Sequence, residues 1–343
     1  MFGKLKTFLY TQVYINILVN IKKTTIYVEE LHFDGKSQIF EKIFDTSEND
    51  KINGYISQMA KKTPLHYISL LDTSLEQGAT PTCSSQDMTQ FCDLGASKHV
   101  CYSKQWGYYT SKLDVLEYQK RYAKVGLDYI FSPFLLLNNF FKDKIDEDLS
   151  LFILVQNDFL SLCVFNHSAL LFAKHLDMDN QNEFQDDLLM EEHSDDEDLS
   201  LDDVGINLED VNVIDDIDSL DDFDDIEDLA TFDEMDEVDE MDEFSEDDSQ
   251  EVEDVTVTQP PLDEENGFGE DYHRFSLIQS AIKDFYLDEK FESDFVQKVY
   301  IANAVRMSNE LKKFLEEEMY LSVIVRKINL GTELCEAAKA EKR

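Results

Sequence analysis

Between Lys174 and Arg274 the chain has no Lys or Arg, and this gap decides which parts can build a folded core. It holds 43 of the 74 acidic groups in a 343-residue chain. Outside it 31 acidic residues face 30 basic ones, so the formal charge of −44 belongs to one segment and the rest is almost neutral. Like charges at this density repel in any compact state. From Leu208 to Phe244 apolar residues recur at every third position, thirteen times in succession. A three-residue step turns each apolar position about 60° backwards around an α-helix, so the stripe winds around the helix and makes no face. Residues 177–273 are therefore expected to be an acidic disordered insertion, a spacer or docking tail. "DMDNQNEFQDDL", from Asp177, opens like a calcium loop, but Asn182 replaces the turn glycine and Leu188 the bidentate glutamate.

The flanking pieces carry strong periodicity. Tyr14 to Asn20, Thr24 to Leu31 and Ser37 to Asp45 are rich in β-branched and aromatic residues and are separated by short polar turns, as in an antiparallel meander. Ile52, Tyr55, Ile56 and Met59 then fall at helical spacing, and "HYISLLD" reads as a buried strand. After a poorly patterned stretch, Ser111 and Asp114 form a capping box. Val115, Tyr118, Tyr122 and Val125 make a stripe that Gly126 closes. The strand "DYIFS" and an apolar helix from Pro133 complete this half. "LSLFILVQ", "FLSLCVFN" and "ALLFAKHL" begin a second copy. It continues, beyond the acidic segment, with a helix bearing Phe275, Ile278, Ile282 and Phe285, the strand "KVYIA", the helix "NELKKFLEEEM" and the strand "LSVIV". The expected architecture is α/β, with duplicated actin-like (RNase H-like) β-β-β-α-β-α-β halves: 1–145, then 146–176 with 274–343.

Five cysteines, an odd number, exclude a full disulfide framework and point to a reducing compartment. Cys83, Cys92 and Cys101 are equally spaced with His99 nearby, but no C-x-x-C or H-x-x-x-H pair supports a metal site. The seven histidines sit in no nucleophile motif, and no basic patch with aromatic interleaving suggests nucleic acid. Trp106, Tyr108 and Tyr109 form an aromatic cluster that suits either core packing or a partner-peptide groove. No apolar run is long enough to cross a bilayer, which takes about 18–20 residues. The basic, apolar start "MFGKLKTFLYTQVYINILVNIKK" is broken by Thr11, Gln12 and Asn16, and reads as a short tail leading into a strand.

Four stretches carry a family resemblance: "VNIKKTTIYVEEL" from Val19, "YAKVGLDYIFSPFLLLNNFF", "FILVQNDFLSLCVFNHSALLFAKHL" and "VYIANAVRMSNELKKFLEEE". Together with the "MFGKLK" start they resemble the PilM-like cytoplasmic proteins of type IV pili and the cytoplasmic domain of the GspL-type protein of type II secretion. In ATP-binding members an Asp near each of the first two hairpin turns organises Mg²⁺, and turn glycines let backbone N–H groups reach phosphates. By this resemblance Asn20 stands at the first Asp position and Lys22 at the turn glycine. Gln156 replaces the second Asp, Asp158 falls in the turn, and the last phosphate loop reads Asn303, Ala304, Val305.

The resemblance thus implies a non-catalytic scaffold without cofactor or metal, cytoplasmic and peripheral to a bacterial inner membrane. Its partner would be a PilN-like single-span protein of a pilus, type II secretion, DNA-uptake or flagellar-motor machine. A basic ring or motor component would meet the acidic segment, and the whole would be assembled as a ring or oligomer. The rival readings are an actin-like ATPase with weak nucleotide binding, and an acidic chaperone or nucleic-acid mimic acting through the polyanion.

Overall fold

The computed structural model describes residues 10–178, 264–288, 295–305 and 309–341. The acidic insertion, apart from its two ends, lies outside the described residues.

Two five-stranded sheets repeat one topology. In the first, β1 (Gln12–Val19), β2 (Lys23–Leu31) and β3 (Ser37–Asp45) form the meander, followed by α1 (Asn49–Ala60) and β4 (His66–Leu71). An inserted three-stranded sheet follows: β5 (Gln77–Thr80), the short α2 (Ser85–Met88), β6 (Ser97–Tyr102) and β7 (Trp106–Ser111). Then come α3 (Lys112–Arg121), β8 (Tyr129–Phe131) and α4 (Pro133–Phe140). The second sheet comprises β9 (Ser150–Val155), β10 (Phe159–Asn166) and β11 (Ala169–Asp177), then α5 (Glu264–Leu287), β12 (Lys298–Asn303), α6 (Glu310–Glu317), β13 (Ser322–Lys327) and α7 (Leu330–Glu341). The strand orders are β3-β2-β1-β4-β8 and β11-β10-β9-β12-β13. Each meander is antiparallel, and the remaining pairs in both sheets are parallel. This duplicated mixed sheet is the actin-like fold.

The predicted signals have physical counterparts. The Ser111 hydroxyl accepts from the Asp114 N–H at 3.4 Å at the start of α3. Gly126, at φ +79°, takes the left-handed conformation that ends the following turn. Ser132 caps α4, with Pro133 in its first turn. Three features depart from expectation. The inserted sheet occupies the poorly patterned stretch, and α7 follows the last expected strand. α5 also begins at Glu264, upstream of the expected boundary at Arg274, and Asp271 on it is fully buried in an ion pair with Arg274 at 2.7 Å.

Alternation along β1 assigns its two faces. Val13, Ile15 and Ile17 pack with Ile52 and Ile56 of α1 and with Tyr122. Tyr14 faces the opposite way, into a core shared by both halves. That core is built by exchange. α4, from the first half, packs on β9 and β10, while α7, from the second, packs on β1, β2, β4 and β8, and the two helices touch. The buried Asn16 amide donates to the Gly331 carbonyl at 3.1 Å and to Cys335 Sγ at 2.8 Å, and accepts from the Ser69 hydroxyl. Tyr27 Oη meets Thr332 Oγ1 at 3.0 Å, and Lys339 pairs with Glu29 at 2.9 Å. On the other side Arg326 holds Asp143 through two hydrogen bonds of 2.9 Å.

A Cβ on Gly331 would lie 2.3 Å from ring atoms of Tyr27, whereas one on Gly54 of α1 meets nothing within 4 Å. Gly331→Ala should therefore destabilise by about 1–3 kcal/mol through overpacking, while Gly54→Ala should be neutral or stabilising by up to about 1 kcal/mol. Chemical denaturation of the pair checks this.

His175 shares a hydrogen bond with Ser161 at 2.9 Å and packs edge-on to Phe134 and tilted against Phe159, and burial pushes its pKa down to about 4. The unfolded imidazole, at about 6.5, binds its proton first as pH falls. Stability from this group is therefore intact above about pH 6.5 and is lost towards pH 4, by up to about 3 kcal/mol. The expected result is a shallower loss in His175→Gln than in the wild-type protein across that window, measured by denaturation at stepped pH.

Candidate functional site

The three loops that the resemblance assigns to phosphate binding come together at the carboxyl ends of β1, β9 and β12. In the first, the Asn20 N–H donates to the Lys23 carbonyl at 2.9 Å, which closes a two-residue turn at Ile21 and Lys22. Thr46 straps this turn, its hydroxyl donating to the Asn20 carbonyl at 2.9 Å and its N–H to the Lys22 carbonyl at 3.1 Å. In the second, Gln156 donates its N–H to the Phe159 carbonyl at 3.0 Å, leaving Asn157 and Asp158 at the tip. The third loop is tied to the second, because the Ala304 N–H donates to the Val155 carbonyl at 3.1 Å. Asn303 ends β12 opposite Val155 and turns its side-chain oxygen back onto the Val305 N–H at 3.1 Å.

The two hairpin tips meet directly. Asp158 Oδ2 accepts a hydrogen bond from the Ile21 N–H at 2.9 Å. In a phosphate-binding hairpin this is the kind of donor that reaches an anionic oxygen, and here the anion is supplied by the opposite hairpin. A carboxylate beside the turn also repels a second anion, at about 4 kcal/mol for unit charges 4 Å apart near a protein surface. Asn20 and Gln156 add no carboxylate to hold Mg²⁺, and Gln156 is buried with its side-chain oxygen on the Asn157 N–H at 3.3 Å. Among the described residues no cluster of three or more His, Cys, Asp or Glu is placed to hold a metal ion.

The aromatic trio is used within the protein. Trp106 is only 2 % exposed and packs against Tyr102, Tyr108 and Phe165. It therefore lies where the inserted sheet meets the second half, with β5 beside the edge strand β11. The partner-groove expectation for Trp106 is corrected, since no face of its ring is open. Tyr108 and Tyr109 are half-buried, and Tyr109 lies across Gly78 so closely that a Cβ there would be 2.5 Å from its hydroxyl. Burial pushes the Tyr108 phenol up to about 12.

Sequence reasoning missed Asp72, which is 2 % exposed at the end of β4. Its carboxylate accepts from the Ser74 N–H at 3.0 Å and the Ser74 hydroxyl at 2.8 Å, anchoring the inserted sheet, and burial raises its pKa. The missed signal was an Asp-x-Ser turn directly after an apolar strand. It also missed a disulfide. Cys83 and Cys101 are bonded, which the expectation of a reducing compartment did not foresee, while Cys92, Cys163 and Cys335 are thiols.

Because the Asp158 contact is solvent-exposed, Asp158→Ala should cost no more than about 1 kcal/mol of global stability. Its local effect should be larger, with faster amide exchange at Ile21 and unchanged exchange at Ile15. Residue-resolved hydrogen exchange tests this.

Among the described residues no helix is long and apolar enough to cross a membrane. No curated protein matches the sequence. The chain is similar to a Bacteroides thetaiotaomicron protein with actin-like ATPase fold and unknown function, at 10 % identity and TM-score 0.48 over 98 % of each chain. It is similar to the PilM-PilN type IV pilus biogenesis complex at 8 % identity and TM-score 0.48, covering 93 % of this chain and 89 % of that one. MreB 5 of Spiroplasma citri bound to AMPPNP follows at 10 % identity and TM-score 0.42, over 96 % and 97 %. A model described as Domain of unknown function (DUF8569) matches residues 10–138. The second model, Domain of unknown function (DUF8341), matches residues 151–343, more than half of the chain, and the protein belongs to that family.

Proposed function

We propose that the protein is a non-catalytic actin-like scaffold, cytoplasmic and peripheral to a bacterial inner membrane, that holds the cytoplasmic tail of a PilN-like single-span membrane protein. The machine it serves is a type IV pilus, type II secretion, DNA-uptake or flagellar-motor assembly, in which it sits as part of a ring or oligomer. The observation that carries the non-catalytic reading is the Asp158 carboxylate on the Ile21 N–H, an internal anion at the hairpin where a phosphate would dock. The losses at Asn20, Lys22, Gln156 and Asn303 support it, because no loop retains the residues that Mg-nucleotide chemistry needs. The partner class follows the sequence resemblance, which runs from the "MFGKLK" start to "VYIANAVRMSNELKKFLEEE". The acidic segment suits long-range attraction of a basic ring or motor component, which raises encounter rates more than affinity.

Two measurements test the reading. Millimolar Mg-ATP should leave the melting temperature unchanged, whereas a ligand present at 100 times its Kd stabilises by about 2.7 kcal/mol; such a rise would favour the ATPase reading. Affinity purification from bacterial membranes should recover a single-span protein of such a machine with the full chain and with a deletion of 184–261, which spares the buried Asp271–Arg274 pair. Recovery of basic cytosolic proteins alone, and only with the acidic segment intact, would instead support the polyanion as the functional part.

A further inference from the structure

We propose that Cys83 and Cys101 form a thiol–disulfide exchange site for dithiol reductants, whose state sets how firmly residues 84–95 are held over the inserted sheet. The two sulfurs are not equivalent. Cys101, on β6, is exposed, whereas Cys83 is half-buried ahead of α2. An incoming thiolate therefore reaches Cys101 Sγ first, and accessible disulfides are the ones that exchange readily. Cys83 is then the leaving sulfur, and the Trp106 carbonyl oxygen lies 3.2 Å from its Sγ, placed to accept a hydrogen bond from the thiol once formed.

The step balances with a dithiol as co-reactant. One thiolate of the reductant bonds to Cys101 Sγ as the Cys83–Cys101 bond breaks, and Cys83 leaves as a thiolate that takes up a proton. The second thiolate of the reductant then attacks the mixed disulfide, releasing Cys101, which is protonated in turn. The protein gains two electrons and two protons, and the reductant becomes a disulfide.

The other cysteines are poor competitors. Cys163 and Cys335 are fully buried, and burial pushes both thiols up. Cys92 is half-buried, and desolvation together with Asp93 raises its thiol too. Fewer thiolates at these positions means slower attack and slower alkylation.

The consequence is local because β6 has a second anchor. Ser97 to Tyr102 pair with Trp106 to Ser111, and the Lys112 N–H donates to the Ala96 carbonyl at 2.9 Å. Reduction leaves that ladder in place and removes the link from β6 back to the chain before α2. The segment released includes Met88, which is 1 % exposed and whose terminal carbon lies 3.5 Å from where a Cβ on Gly107, beside Trp106, would sit.

The experiment uses the full chain under native conditions, treated with reduced or oxidised dithiothreitol, alkylated, and mapped by mass spectrometry. Reduction should add two alkyl groups, at Cys83 and Cys101, and oxidation should remove both sites together. Amide exchange in 84–95 should rise about tenfold or more on reduction, with 106–111 unchanged. Cys92→Ser should behave identically. The proposal is overturned if the bond yields only in denaturant, if the reduced pair does not re-form it, if exchange in 84–95 is the same in both states, or if the reaction requires Cys92.

Discussion

The placement of the two sheets depends on the exchange of their last helices. α7 ends the second half yet lies on the first sheet, where the Asn16 amide is satisfied by the Gly331 carbonyl, Cys335 and Ser69. A buried amide left without partners costs about 1–3 kcal/mol, so the contact is made whole or lost whole. Only glycine allows the α7 backbone to lie on the Tyr27 ring. α4 makes the reciprocal journey, and Phe141 reaches Phe152 and Tyr300 of the second sheet. The result is one core with members from both halves.

This arrangement bears on function. Two domains joined by a small polar interface move relative to one another by default, and a large apolar interface opposes that motion. Here the interface is a shared apolar core, pinned at the rim by Arg326–Asp143 and at the hairpin tips by Asp158 and Ile21. Such an interface suits the proposed display of fixed surfaces better than a cycle of opening and closing. The inserted sheet fits the same logic, since β5 rests against β11 and Trp106 packs on Phe165 of β10.

The inner strands of the two large sheets were legible because they are long runs of β-branched and aromatic residues. β1, whose two faces enter different cores, and β9 and β10 are all buried on both faces and read as nearly continuous apolar runs. The helices opening at Ser111 and at Pro133 were legible as well. The apolar signal of α7 is thin because only Leu330 and Leu334 on its buried face are large, the rest being Gly331, Cys335, Ala337 and Ala338. Its start was nevertheless marked by Asn329, whose side-chain oxygen accepts from the Thr332 N–H at 3.0 Å. The inserted sheet was hidden by short strands such as "QGAT", buried by contact and not by hydrophobicity. At the hairpins, the substituted positions could be named from the resemblance, but the Asp158–Ile21 hydrogen bond joins residues 137 apart and no local pattern announces it. Trp106 was visible as an aromatic cluster, yet only the fold decides that Phe165 closes it off.

The most direct test of the account is native-state hydrogen exchange of β1 and β9 as a function of denaturant. If the exchanged helices fuse the halves, core amides such as Ile15 and Ile153, both completely buried, should converge on one opening free energy with one denaturant dependence. Two separate openings, with α7 following β9 and leaving β1 protected, would mean that the halves are independent and that the cleft between them is free to work.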